Sequence, residues 1–91
     1  EFRESLKKRP IDYFKMFYVD TATFGSLGAM QCGLDFFGPE RCMYASDCPF
    51  DPEGGTLYIR ETMSALDNVR IDEAARADIY QNNARKFLKL K

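Results

Sequence analysis

Short apolar runs alternate with helically spaced apolar residues along this chain. The runs at positions 14–19 and 42–45 predict two β-strands, the first because it is rich in aromatic and branched side chains. Between them, positions 26–37 carry apolar residues three and four apart, which predicts a helix. The Gly38-Pro39 pair predicts a sharp end to that helix.

The second half of the chain predicts a long loop and two further helical regions. Positions 46–55 are dense in Pro, Asp and Gly and form the predicted loop. A helix is expected over positions 56–67, with one apolar stripe: Ile59, Met63 and Leu66. Asp72 is the predicted N-cap of the last helical region, and Asn82-Asn83 marks a break or kink inside it. The predicted apolar face of that region consists of Ala75, Ile79, Phe87 and Leu88.

The order strand, helix, strand, helix, helix predicts an α/β fold. Alternation of this kind is typical of parallel strands joined by right-handed crossovers, and continuous apolar strands indicate a sheet that is covered on both faces. Two parallel strands leave both outer edges unpaired, so such a unit would be poorly stable alone. We therefore expect residues 1–91 to be the closing third of a larger α/β protein.

Length and charge exclude several classes of protein. The 91 residues make one domain at most, and a net charge of -1 gives no electrostatic basis for binding nucleic acid or an anionic membrane. No apolar run approaches the roughly 20 residues that span a bilayer, and no signal peptide is visible. We expect a cytoplasmic protein with no nucleic-acid or membrane partner.

The cysteines and the absence of histidine exclude several kinds of structural and catalytic site. Cys32, Cys42 and Cys48 are odd in number and unpaired in spacing, which excludes a disulfide framework or a zinc knuckle. Cys32 and Cys42 are interpreted as small core residues. Cys48 lies beside Asp47, but no histidine exists in the chain to activate it, so a Cys-His hydrolase within this chain is excluded.

Carboxylates at the ends of the predicted strands are the candidate functional groups. Asp47 lies where the second strand stops and the loop begins, and it is either a loop cap or a functional carboxylate. Asp20 also ends a strand, where a turn or N-cap role is favoured. Asp51 and Glu53 are expected to be solvated, or to rim the mouth of a site. Phe50 is interpreted as a packing anchor behind the loop rather than a substrate contact.

Four segments together resemble the C-terminal end of the amidohydrolase-related barrels, which include aminocarboxymuconate-semialdehyde decarboxylase and the resorcylate-type decarboxylases. Residues 10–20 resemble the seventh barrel strand and its lead-in, and residues 37–41 resemble the turn before strand eight. Residues 45–55, with the Ser-Asp-Cys-Pro-Phe sequence, resemble strand eight and its loop. Residues 83–88, which begin Asn-Ala, resemble the closing helix.

The resemblance implies a partial (β/α)₈ barrel, namely the last two β-α units plus a C-terminal helix. It implies a metal-dependent hydrolase or decarboxylase that acts on a small carboxylated organic substrate, with a divalent Zn or Mn ion. Asp47 matches the strand-eight aspartate, so it is the expected metal ligand and proton-transfer group. The histidine ligands of the family would lie on strands that this chain lacks, so the fragment alone is expected to hold no metal and to be inactive.

A second hypothesis needs no catalysis. The chain would then be a small α/β module that self-associates or binds a partner through its open sheet edges. Both hypotheses predict association, either as a homo-oligomer or with the remainder of a barrel.

Overall fold

The structure is a computed structural model that describes residues 7–90. Its helices and strands, in chain order, are α1 (Pro10–Phe14), β1 (Val19–Asp20), α2 (Leu27–Phe37), a 3₁₀ turn (Pro39–Arg41), β2 (Cys42–Met43), α3 (Thr56–Asn68), α4 (Glu73–Ala77), a π-helical segment (Asp78–Asn82) and α5 (Asn83–Phe87). The chain is therefore a mixture of helices and short strands, in the predicted order from β1 onward. Between Lys7 and Leu90, no helix is both long enough and apolar enough to cross a membrane.

The two strands pair in parallel, as predicted. Val19 is opposite Cys42 and Asp20 is opposite Met43, and α2 forms the crossover between the strands. The sheet within residues 7–90 has these two strands only. Each strand is shorter than predicted, and both outer edges of the ladder are open within this part of the chain.

The prediction of a strand over positions 14–19 is wrong for most of its length. Pro10 occupies the first position of α1, where its fixed φ favours a helix, and Asp12 lies in the first turn. The Arg9 side chain donates to Asp12 at 3.1 and 3.2 Å. The turn continues until the Phe17 amide donates to the Phe14 carbonyl, so extended pairing begins only at Val19.

The predicted helix over positions 26–37 is confirmed by its caps. The Ser26 hydroxyl accepts from the Ala29 amide at 3.2 Å, which makes Ser26 the N-cap. Gly38 ends α2 with φ 88°, a conformation that favours glycine, and its amide donates to the Leu34 carbonyl. Local capping chemistry therefore fixes both ends of this helix.

The core lies between the helices and one end of the sheet. Its buried apolar residues are Met30, Leu34, Cys42, Ala65, Leu66, Val69 and Ile79. The predicted stripe on α3 is only partly right, since Leu66 is fully buried but Ile59 and Met63 are exposed. Thr62 and Ala65 share the buried face with Leu66 instead. The prediction that Cys32 is a core residue is also wrong, since its side chain faces outward from α2.

The last helical region begins as predicted but does not break. The Asp72 side chain accepts from the Ala75 amide at 2.8 Å, which confirms the N-cap. The helix widens into the π-helical segment Asp78–Asn82 before α5, so the irregularity lies just before Asn83. Ile79 is fully buried as expected, whereas Phe87 and Leu88 are exposed, which corrects that part of the predicted apolar face.

Candidate functional site

Asp47 lies four residues beyond β2, on the side of the sheet where both parallel strands end. Its side chain is exposed, and its backbone is in the left-handed region with φ 65°, which aspartate tolerates better than most residues. The Asp47 carbonyl accepts from the Phe50 amide at 3.1 Å, which closes a turn around the Cys48–Pro49 pair. Within residues 7–90 no hydrogen bond or ion pair engages the Asp47 carboxylate, so it is available to a ligand.

The chain that leads to Asp47 is fixed by Thr21. The Thr21 hydroxyl donates to the Ala45 carbonyl at 2.8 Å and accepts from the Ala45 amide at 2.9 Å. The Thr21 amide donates to the Met43 carbonyl at 3.1 Å. A buried side chain therefore continues the sheet ladder beyond the last pair of strand residues, up to two residues before Asp47.

The chain that follows Asp47 is organised by Asp51. One carboxylate oxygen accepts from the amides of Glu53 at 2.7 Å and Gly55 at 3.1 Å, and the other accepts from the amide of Tyr58 at 3.0 Å. Burial raises the pKa of Asp51, but the backbone N–H donors lower it more, so the net pKa lies below its ordinary value. Asp51 is buried, so the prediction that it is solvated is wrong. The backbone donors compensate for the loss of water around its charge.

Gly55 allows the loop to close tightly on itself. It has φ 119° and immediately precedes α3. A Cβ placed on Gly55 would lie 2.5 Å from the Cys48 sulfur, a distance that real atoms do not reach without a shift of the chain. The Gly54-Gly55 pair therefore serves loop closure around the start of α3.

The other candidate residues have simpler roles. Asp20 is exposed and accepts from the Ala22 amide at 2.9 Å, which is the turn interaction favoured for it. Glu53 is exposed as expected and pairs with Arg60 at 3.5 Å. Phe50 is 76% exposed, so the prediction that it anchors the loop by packing is wrong. Its ring instead lies on the surface of the same turn as Asp47.

The cysteines form no metal cluster within the described part of the chain. Cys42 is buried as predicted, and burial raises the pKa of its thiol to about 11, so it stays protonated and unreactive at neutral pH. Cys48 is exposed beside Asp47. Between residues 7 and 90 no three His, Cys, Asp or Glu side chains converge on a common point. Asp47 can therefore supply one ligand to a metal, but this part of the chain does not complete a cage.

An apolar cavity lies between α2 and the two strands. It has a volume of about 150 Å³ and is lined by residues of α2 and both strands, among them Met30, Leu34 and Cys42. Asp20 and Thr23 also line this cavity, whereas Asp47 is not among its lining residues.

Comparisons with known proteins give one consistent result. A family model described as amidohydrolase matches residues 2–90. No curated protein sequence gives a significant match. Among solved structures, a 2,6-dihydroxybenzoate decarboxylase in complex with 2,6-dihydroxybenzoate is similar with a TM-score of 0.73 and 25% identity, over 94% of this chain and 25% of that one.

Two further structures show the same fold at lower identity. The 5-carboxyvanillate decarboxylase from Sphingomonas paucimobilis has a TM-score of 0.72 and 24% identity, over 96% of this chain and 24% of that one. The 2,6-dihydroxybenzoate decarboxylase from Rhizobium has a TM-score of 0.72 and 24% identity, over 93% of this chain and 25% of that one. The chain thus spans about a quarter of the length of each of these decarboxylases.

Proposed function

This chain belongs to the amidohydrolase family, and we propose on that basis that it is the C-terminal segment of a metal-dependent enzyme in which Asp47 acts at the metal. The observation that carries the proposal is the exposed Asp47 carboxylate beyond the end of a parallel strand. In parallel α/β folds, catalytic groups gather at this end of the sheet. The proposed domain is a (β/α)₈ barrel, to which residues 1–91 contribute the last two β-α units and the closing helix.

The chemistry of Asp47 fits one position in the coordination shell of a divalent cation. A carboxylate is a suitable ligand for Zn²⁺ or Mn²⁺, and Asp47 has no competing partner within residues 7–90. The remaining ligands would come from other strands of the barrel. When bound, the cation would supply Lewis-acid polarisation of a substrate oxygen. A carboxylate oxygen of Asp47 that does not bind the cation could accept or return a proton.

The proposed reaction is decarboxylation of a small aromatic acid, with hydrolysis as the alternative within the same family. All three similar structures are decarboxylases of aromatic carboxylates, as their names state. The exposed ring of Phe50, three residues after Asp47, offers an aromatic surface on the same turn. Such a surface suits a planar substrate.

Substitution of Asp47 by asparagine in the intact, metal-loaded protein tests this function. We expect Asp47→Asn to lower kcat for a 2,6-dihydroxybenzoate or 5-carboxyvanillate substrate by at least about 100-fold, because proton transfer and charge at the metal are both lost. The control is Asp20→Asn, which changes the other strand-end carboxylate but should leave kcat near that of the wild type. Near-normal turnover in Asp47→Asn would remove Asp47 from the mechanism.

The open sheet edges support a partner for this segment. Several large apolar side chains are exposed around the sheet and its flanking helices, among them Phe14, Phe17 and Phe87. The proposed occupant of this surface is the remainder of the barrel, because the chain spans about a quarter of the similar enzymes. Sedimentation of the 91-residue chain, with and without the upstream units of the barrel, tests this. A folded monomer that does not bind the upstream units would contradict this proposal, whereas a homo-oligomer would favour self-association of the chain.

A further inference from the structure

We infer that Thr21 and Asp51 are positioning residues that hold Asp47 in the geometry needed for metal binding, an inference that rests on the proposed function. Both side chains are buried and make their hydrogen bonds to backbone groups. Each fixes the backbone on one side of Asp47 through several hydrogen bonds. Together they anchor the segment that carries the carboxylate at both ends.

Thr21 fixes the chain before Asp47 because its side chain takes the place of a strand partner for Ala45. Beyond the Asp20–Met43 pair, β1 turns away, because the Asp20 side chain accepts from the Ala22 amide and the chain enters a loop. The backbone of Ala45 would then lack its partners from the neighbouring strand. The Thr21 hydroxyl satisfies both the amide and the carbonyl of Ala45, at 2.9 and 2.8 Å. With only 1% of Thr21 exposed, water does not compete for these bonds.

Asp51 fixes the chain after Asp47 through hydrogen bonds to its charged carboxylate. Its carboxylate accepts from amides spread over six residues, from Glu53 to Tyr58, so it joins the loop to the first turn of α3. Hydrogen bonds from N–H groups to an ionised carboxylate are among the stronger ones in proteins. Because Asp51 lies four residues after Asp47, this network fixes where the turn must end.

Asp47 needs such anchors because its own conformation is unfavourable. A left-handed φ of 65° is uncommon for a residue other than glycine and persists only where the surroundings impose it. A metal ligand must also be held to within about 0.5 Å of its productive position. Loss of either anchor would let the exposed turn relax, and the ligand would then be displaced although its chemistry is unchanged.

The test measures Mn²⁺ affinity in the intact protein, by electron paramagnetic resonance of the free ion, alongside kcat. Thr21→Val removes the hydroxyl at nearly constant shape, and Thr21→Ser restores it. Asp51→Asn removes the charge at constant size. The matched controls are Thr23→Val, whose hydroxyl donates only to the Ser26 carbonyl among residues 7–90, and Glu53→Gln on the exposed part of the Asp51 loop.

We expect Thr21→Val and Asp51→Asn to raise the Mn²⁺ dissociation constant by about 10-fold or more, the range seen when a group that orients a metal ligand is lost. Thr21→Ser and both controls should bind Mn²⁺ like the wild type. Amide exchange at Ala45 should accelerate in Thr21→Val only. If Thr21→Val does not fold, Asp51→Asn decides the outcome, since its hydrogen bonds are confined to one loop and one helix start.

Two negative results have different meanings. If Asp47→Asn weakens Mn²⁺ binding but folded Thr21→Val and Asp51→Asn bind normally, the positioning inference is overturned and the proposed function stands. If Asp47→Asn itself binds Mn²⁺ with wild-type affinity, the metal role of Asp47 fails, and the positioning inference fails with it.

Discussion

Asn83 joins the last helix to the beginning of β2 through the Cys42 carbonyl, 41 residues earlier in the chain. The Asn83 amide nitrogen donates to that carbonyl at 2.8 Å and to the Pro39 carbonyl at 2.7 Å. Pro39 is the first residue of the 3₁₀ turn and Cys42 follows its last residue, and Asn83 is buried. One side chain therefore satisfies two backbone groups and sets the position of the closing helix against the strand that leads to Asp47.

Removal of this side chain should destabilise the protein strongly. We expect Asn83→Ala to lower the free energy of unfolding by about 2 kcal/mol, because two side-chain hydrogen bonds are lost and the one to the Cys42 carbonyl is buried. The neighbouring Asn82 is exposed, and within the described chain its side chain bonds only to Asp78, so Asn82→Ala is the matched control and should cost little. Urea unfolding of the intact protein measures both. Equal costs at the two positions would contradict the proposed role of Asn83.

Arg76 should be a second point of structural sensitivity. Its guanidinium donates to the Leu66 carbonyl at 2.9 Å and the Val69 carbonyl at 2.8 Å at the end of α3, and it also pairs with Glu73. We expect Arg76→Met to lower the free energy of unfolding by about 2 kcal/mol, since the carbonyls at the helix end lose their partner. Arg70→Met is the control on an exposed arginine. Thermal unfolding that does not distinguish the two variants would refute this prediction.

Two fully buried threonines should respond in opposite directions to the same substitution. The Thr62 hydroxyl is buried on α3 with no hydrogen-bond partner within residues 7–90, whereas the Thr21 hydroxyl makes two hydrogen bonds. We expect Thr62→Val to raise the free energy of unfolding by about 1 kcal/mol and Thr21→Val to lower it by about 2 kcal/mol. Chemical denaturation of both variants measures the difference. A loss of stability in Thr62→Val would indicate a partner for its hydroxyl.

Acid should weaken the Asp51 loop in a defined pH range. Burial raises the pKa of Asp51, but the backbone donors outweigh it, so its pKa in the folded protein lies below its unfolded value. Its contribution to stability is therefore complete above about pH 4 and is lost as the pH falls through the folded pKa. Asp51→Asn should reduce the dependence of the unfolding free energy on pH below about pH 4. Some dependence of the unfolding free energy on pH also remains from Asp12, because its hydrogen bond with Arg9 lowers its pKa. Identical profiles for both proteins would show that Asp51 is not a source of the dependence.

Local signals in the sequence predicted the helix boundaries well. The Gly38 end of α2 and the Asp72 cap are chemical features of single residues, so the sequence indicates them directly. The position of Asp47 after a strand followed from the apolar run and the turn-forming residues after it. Whether Asp47 binds a metal stays a prediction.

Burial was harder to predict because it depends on contacts between distant segments. Cys32, Phe50 and Met63 are apolar yet exposed, since no element within residues 7–90 covers them. Asp51 is charged yet buried, because amides from the following turn converge on it. The only sequence signal for the role of Asp51 was therefore that it is an aspartate a few residues before a predicted helix.

The turn at Asp47 is held at both ends by hydrogen bonds, and the side chains between those ends face solvent. Cys48, Pro49 and Phe50 are exposed between the two fixed points. Replacement of Phe50 should therefore cost little in folding while it changes the surface next to the carboxylate. Divergent descendants of this chain could acquire new substrate preferences there without first having to acquire extra stability elsewhere.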